Sequence, residues 1–167
     1  SNRVLFAFDL TTDRMELIID SLFIEALIPD GDQMLWLGTD NGLRRYDLST
    51  GTLEQVVLST EGPQVSIFDL YLDSSGRLWI STLVAGLFLY DDEEVTNFVH
   101  IPSDKYSISS NILREVIELP NGNIAVGTSN DGLNILDVST GVFKNFTYEE
   151  SNPKSLSTQS AYGLMVD

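Results

Sequence analysis

The sequence predicts an all-β chain made of a four-stranded antiparallel unit that recurs about every 45 residues. Three observations predict it. The stretches Leu35-Trp36-Leu37-Gly38-Thr39, Leu78-Trp79-Ile80-Ser81-Thr82 and Ile124-Ala125-Val126-Gly127-Thr128 align with one another at separations of 43 and 46 residues. Each is followed at nearly constant distance by Gly-Leu (Gly42-Leu43, Gly86-Leu87, Gly132-Leu133) and then by an apolar-Asp pair (Tyr46-Asp47, Tyr90-Asp91, Leu136-Asp137). No stretch sustains apolar residues at i, i+3, i+4 and i+7, so helix is expected to be near absent.

Taken in order, residues 1–20 read as the end of a preceding unit: Leu5 to Asp9 as its third strand, Leu10-Thr11-Thr12-Asp13 as a turn and Met15 to Ile19 as its fourth strand. Residues 21–58 form the first complete unit. Leu22 to Ile28 alternates toward the turn Pro29-Asp30-Gly31, and Leu48-Ser49-Thr50-Gly51 turns the chain into a last strand at 52–58. Residues 65–101 repeat this, with Ser66 to Leu72, the turn Asp73-Ser74-Ser75-Gly76, the turn Asp92-Glu93-Glu94 and a last strand at 95–101. Residues 111–148 repeat it again, with Ile112 to Leu119, Pro120-Asn121-Gly122, Val138-Ser139-Thr140-Gly141 and 142–148. Ala161 to Asp167, within 160–167, reads as the first strand of a following unit. The Gly and Asn residues supply the positive φ that tight hairpins require. The expected total is fifteen strands, just under four units, with the longest connections at 102–111 and 149–159.

Four-stranded antiparallel units of this period are the signature of β-propeller blades, each burying one face on the blade before it and the other on the blade after. The consecutive apolar residues Leu35, Trp36 and Leu37 fit a strand with two covered faces rather than one wet face. Trp36 and Trp79 are then expected between blades, and Ala125 at the equivalent place predicts a looser contact or a neighbour that fills the space. Closed propellers hold about four to eight blades, so the chain is expected to be an incomplete propeller and a piece of a larger one. An open arc leaves edges and apolar faces uncovered, and the expected remedy is the remaining blades or a second copy of the chain, giving a homo-oligomer.

Composition narrows the partners. The chain has 167 residues, with 43% hydrophobic and 20% charged residues, enough to bury a core. Nine Lys and Arg against 25 Asp and Glu give a net charge of −16, a field that repels nucleic acid and anionic lipid. The lack of cysteine removes disulfides, thiolate metal sites and Cys nucleophiles. No apolar run approaches the roughly 18 residues that cross a bilayer, and Ser1-Asn2-Arg3 leads into the first strand with no visible signal-peptide pattern, as a piece excised from a longer chain also would. Ser1-Asn2 reads as a cloning remnant.

Read as Ser109-Ser110-Asn111-Ile112, an apolar strand, Asp or Asn-x-Gly, Leu-Trp-Ile-Gly or Ser-Thr, Gly-Leu and Tyr-Asp, the repeat resembles the two-component regulator propeller repeat. The resemblance spans nearly the whole chain, departing at Ala125 and Ser81; the Ser-rich lead-in is clear only in Tyr106 to Asn111 and Lys154 to Gln159. It implies the periplasmic input region of a hybrid two-component sensor histidine kinase of Bacteroidetes, with oligosaccharides as the sensed ligands. Kinase, receiver and DNA-binding signatures are absent from these residues.

Candidate chemistry is sparse. His100, the single histidine, sits in the outer-strand pattern Asn97-Phe98-Val99-His100-Ile101, away from where propeller sites gather. Asp91-Asp92-Glu93-Glu94 lacks the spacing and central Gly of a calcium loop and reads as a solvated turn, as does Asp30-Gly31-Asp32. Thr39, Thr82 and Thr128 recur in register and are expected to bond local backbone. Asn145-Phe146-Thr147 fits a glycosylation pattern that a bacterial source would leave idle. Tyr106, Tyr148 and Tyr162 could stack on sugar but are expected to pack within or under their loops. No residue is therefore assigned a catalytic, metal or cofactor role, and no cofactor is expected. The reading is a non-enzymatic ligand-sensing or scaffold segment. Its alternatives are a propeller enzyme of lyase or lactonase type, which needs acids or His clustered at inner-strand ends, and a pure protein-interaction propeller.

Overall fold

The computed structural model describes residues 3–59 and 64–166, so Ser1-Asn2 and Asp167 lie outside the described residues. A two-stranded hairpin, β1 (Arg3–Asp9) and β2 (Arg14–Leu22), precedes three four-stranded sheets. The first sheet is β3 (Ile24–Asp30), β4 (Met34–Thr39), β5 (Gly42–Asp47) and β6 (Leu53–Val56). The second is β7 (Ile67–Leu72), β8 (Leu78–Thr82), β9 (Leu87–Asp91) and β10 (Glu94–Phe98). The third is β11 (Leu113–Glu118), β12 (Ile124–Thr128), β13 (Leu133–Asp137) and β14 (Val142–Phe146). Each is an antiparallel meander in chain order, and β3 lies against β7 as β7 lies against β11. Small sheets that meet through their first strands are propeller blades around an axis. The chain is an incomplete β-propeller.

Three apolar clusters seal the successive joints. Ile19 joins Leu37 and Tyr46 between the hairpin and the first blade. Trp36, Leu43, Ile67, Leu70, Leu78, Ile80 and Phe88 fill the joint between the first and second blades. Trp79, Leu87, Leu113, Val116, Ile124, Val126, Leu136 and Phe143 fill the next. Alternate residues of one strand therefore serve opposite joints: Leu37 looks back while Trp36 looks forward, as the period of two requires. Ala125, in the tryptophan position of the third blade, is also buried.

The recurring small residues have local reasons. Asp47 accepts from the Ser49 hydroxyl at 2.6 Å and its N–H at 2.7 Å, and Asp137 and Ser139 repeat the pattern. The Ser49 hydroxyl, then its N–H, hold the Asp47 carboxyl below the usual range. Gly86 (φ +80°) and Gly132 (φ +78°) turn β8 into β9 and β12 into β13, and a Cβ at either would strike the carbonyl oxygen of Phe98 or Phe146, the last residue of the same blade's outer strand. That is why Gly recurs before Leu. Thr39, Thr82 and Thr128 are fully buried, and each hydroxyl donates to the carbonyl of Gly42, Gly86 or Gly132 at 2.7–2.9 Å. The expected backbone role of these threonines holds. Ser81, which replaces Gly in the second blade, has a buried Oγ for which the structure shows no hydrogen-bond partner.

Two expectations are corrected. Fourteen strands form among the described residues rather than fifteen, because residues 160–166 are not a strand. They do seat on the third blade: Gly132 N–H reaches Gln159 O at 2.7 Å, as Gly86 N–H reaches Asn111 O at 3.2 Å, and Ala161 N–H donates to Thr128 O at 3.1 Å. A strand, however, is defined by a ladder, and no second strand pairs with this segment among the described residues. The outer strands are also shorter than 52–58, 95–101 and 142–148, because the chain leaves the sheet to cross to the next blade. Leu58 and Ile108 are buried in the joints on the way.

Candidate functional site

The three inner strands break register at the same place, between Ile24 and Ala26, Ile67 and Asp69, and Leu113 and Val116. A bulge inserts a residue and re-aims its side chain. The residues delivered there are Glu25, Phe68 and the pair Arg114-Glu115. The Arg114 guanidinium lies 4.7 Å from the Phe68 ring centre and 5.5 Å from that of Tyr162, while its Nε–H donates to Ser129 Oγ at 2.9 Å. An aromatic-cation-aromatic ladder thus runs from β7 through β11 to the segment after β14.

Beside it lie two carboxylates. Asp69 Oδ2 accepts the Val116 N–H across the joint at 3.0 Å. Burial pushes its carboxyl up, and the charge of Glu115 adds to this, against the hydrogen bonds from Val116 and Leu70. Glu115 Oε2 is buried without a hydrogen-bond partner. Asp69 therefore holds a proton more tightly than a free carboxyl does. The composition of the inner strands gave no cue to this group, because its members become neighbours only across the blade joint.

The residues singled out from the sequence are dispersed. His100 lies just past β10, with Nδ1 2.8 Å from Ile108 O and its N–H donating to Asn111 Oδ1 at 2.7 Å, so it braces the crossing loop. Asp92 and Glu93 are the two central residues of the β9–β10 hairpin, at φ +46° and +69°, the conformation that right-handed strand twist selects. Among the described residues no group of three His, Asp or Glu side chains could hold a metal ion. Tyr106, Tyr148 and Tyr162 are 52%, 40% and 54% exposed, so they are not covered by their loops as expected. They also do not converge: Lys105 Nζ sits 4.8 Å from the Tyr106 ring centre, Tyr148 bridges to Leu156, and Tyr162 belongs to the Arg114 ladder.

A second polar feature lies within a joint. A cavity of about 280 Å³ opens between the first and second blades, lined by Asp30, Trp36, Arg45, Tyr90, Asp92 and Glu93 with apolar walls from Leu72 and Leu78. Arg45 Nη2 pairs with Asp30 Oδ2 at 3.0 Å, and its guanidinium lies 5.1 Å from the Trp36 ring centre. The Tyr90 ring meets Trp36 edge-on at 5.4 Å. Burial raises the Tyr90 phenol, with a further push from Glu93, so it stays a hydrogen-bond donor at neutral pH.

Residues 61–83 match the family model described as two component regulator propeller. None of the curated proteins matches the sequence at a significant level. Among solved structures, the chain is similar to the extracellular domain of the hybrid two component system BT3049 from B. thetaiotaomicron, at 19% identity and a TM-score of 0.72, covering 87% of this chain and 21% of that one. It is similar to the extracellular domain of the hybrid two component system BT4673 from the same organism, at 27% identity and a TM-score of 0.63, covering 78% of this chain and 18% of that one. It is also similar to virginiamycin B lyase from Staphylococcus aureus, at 12% identity and a TM-score of 0.60, covering 87% of this chain and 45% of that one. The chain thus spans about a fifth of the two hybrid-system domains.

Proposed function

We propose that this chain is a non-enzymatic segment of the extracytoplasmic, periplasmic input region of a hybrid two-component sensor histidine kinase, and that it responds to oligosaccharides. The match of residues 61–83 to the regulator repeat carries the reading. The likeness to the extracellular domains of two hybrid systems supports it. The mechanism is differential binding: a ligand that favours one arrangement of packed blades shifts the sensor toward that arrangement by as much as the two affinities differ.

The partner that completes the arc is further blades of a longer chain or a second copy. Phe6 pairs across the first hairpin with Leu17 and Phe8 with Met15, and these four side chains are 48–65% exposed on it. A contiguous apolar face of this kind suits burial against another sheet. Calorimetric titration with a panel of neutral and acidic oligosaccharides tests the sensing role. Saturable heat without product supports it, and a panel that is silent at millimolar concentration refutes it in favour of an interaction scaffold.

The enzymatic reading has one observation behind it, the Asp69 and Glu115 carboxylates on adjacent inner strands. Product formation from a lactone or glycan that is lost in Asp69→Asn would establish that reading instead.

A further inference from the structure

The cavity between the first and second blades departs from the repeat that built it. On the third strand of each blade, the residue paired with the tryptophan position is Leu89 opposite Trp79, Ile135 opposite Ala125, but Arg45 opposite Trp36. On the facing blade, the position that carries Leu136 in the third blade carries Tyr90 in the second. Between the second and third blades these slots are apolar, with Leu89 and Leu136 in one continuous cluster with Ile124. Between the first and second they are polar and enclose open space. A packing slot has become a lined cavity.

The lining restricts what fits. Arg45 brings a guanidinium to the cavity: its Nε–H is buried and its Nη2 is held by Asp30, while the side chain as a whole is 41% exposed, so its outer N–H groups are the donors a ligand reaches. Asp30, Asp92 and Glu93 contribute acceptors, and three carboxylates against one guanidinium in a chain of net charge −16 repel an anion. Asp30, Asp92 and Glu93 do not come together as a group that could hold a metal ion, nor does any other such set among the described residues. A cation meets Arg45, which already occupies the face of Trp36. What remains is a neutral molecule that donates several hydrogen bonds and accepts at least one. The volume sits near the lower end of small-molecule pockets, roughly 300 Å³ upward.

We infer that this cavity binds one neutral, hydroxyl-rich ring, a hexose unit whose hydroxyls donate to Asp30, Asp92 and Glu93 and one of whose oxygens accepts from the outer N–H groups of the Arg45 guanidinium. The inference rests on the saccharide reading above and gives it a location. The site lies at the hairpin-turn end of a blade joint, so occupancy acts directly on how two blades meet.

The test is a titration of the chain with D-glucose, D-galactose, D-glucuronate and D-glucosamine, followed by the ¹H-¹⁵N signals of Arg45 Nε–H and the Trp36 indole. At least one neutral hexose shifts both signals saturably, and glucuronate and glucosamine bind more weakly. Arg45→Leu restores the residue type of the second blade, keeps the fold, and weakens hexose binding by about tenfold or more, as loss of a charge-assisted hydrogen bond implies. Glu93→Gly, which suits φ +69° and removes one acceptor, weakens binding several-fold and provides a second variant should Arg45→Leu fail to fold.

A hexose that binds wild type and both variants equally overturns the location while leaving the saccharide reading intact. Tighter binding of glucosamine or glucuronate overturns the neutral class. Silence of all four monosaccharides at Arg45, with heat from longer glycans in the calorimetric panel, overturns this site alone; silence in both experiments removes the saccharide reading with it.

Discussion

Asp73 offers the most direct test of how a blade is held together. Its side chain is fully buried, and five donors converge on it: Oδ1 accepts the N–H groups of Ser75 at 2.9 Å and Arg77 at 3.0 Å, while Oδ2 accepts Arg77 Nε at 2.8 Å, Arg77 Nη2 at 2.8 Å and Trp79 Nε1 at 2.9 Å. Substitution by Asn preserves shape but replaces one acceptor oxygen with an NH₂ group. In either orientation that group faces donors: two backbone N–H groups, or the guanidinium and the indole. Breaking a buried pair by altering one partner costs about 3–5 kcal/mol, and the partly exposed Arg77 places the loss near the lower figure. With a urea m value of about 2 kcal/mol/M, a loss of about 3 kcal/mol lowers the unfolding midpoint by about 1.5 M. Tryptophan fluorescence in urea reads this directly, because Trp79 is one of two tryptophans and is a party to the network. An Asp73→Asn midpoint within about 0.25 M of wild type, equivalent to about 0.5 kcal/mol, would refute the reasoning.

The same carboxylate sets an acid limit. Burial by itself would raise Asp73, but hydrogen bonds from Trp79, Arg77 and Ser75 outweigh it and the carboxyl lies below the usual range. Its folded-state affinity for protons is lower than in the unfolded chain, so its contribution is complete above the unfolded value, near pH 4, and is lost as pH falls through the folded one. The urea midpoint of wild type should therefore drop below pH 4 more steeply than that of Asp73→Asn.

Three further outcomes are expected. Gly86→Ala combines a positive φ with a clash against Phe98 O and should lower stability by at least about 1–2 kcal/mol, whereas Gly31→Ala, at φ +68° with nothing within 4 Å, should lose only about 1 kcal/mol; equal effects in thermal unfolding would remove the close approach as the reason for the glycine. Asp69 is raised by burial, so its folded state holds the proton more tightly and stability is withdrawn as pH rises from the unfolded value through the folded one. Asp69→Asn, which keeps an acceptor for Val116 N–H, should therefore be more stable than wild type at pH 7 and no more stable at pH 3; a destabilised variant at pH 7 would show that the charge is needed. Phe6→Ser with Phe8→Ser removes the two largest side chains of the exposed hairpin face and should reduce self-association in sedimentation velocity, while unchanged association would place the contact elsewhere.

How much was legible in the sequence differs between the fold and the site. The Leu-Trp-x-Gly-Thr and Gly-Leu elements announce the blades because each has a cause inside one sheet: Thr82 closes its own turn on Gly86, and Gly86 passes under its own outer strand. Period-two alternation likewise places Trp36 and Leu37 on opposite faces. Residues 160–166 were misread because their pattern is that of an inner strand, whereas strand formation needs a second strand to bond with. The ladder of Phe68, Arg114 and Tyr162 was not legible, since these residues are about 46–48 apart and meet only because β7, β11 and the segment after β14 converge. Arg45 carried a signal that alignment of the repeats alone would have given: a cation in a column otherwise filled by Leu89 and Ile135.

The order of side chains along the chain determined the all-β class, the period, the turns and the face each strand residue presents, because hairpin geometry and strand pleat act over a few residues. Tertiary structure alone decided which residues share a joint, which acids lie side by side at Asp69 and Glu115, and where Arg45 and Tyr90 leave a cavity. Those facts depend on how one sheet leans on the next, and contacts between residues more than 40 positions apart are fixed by packing rather than by local pattern.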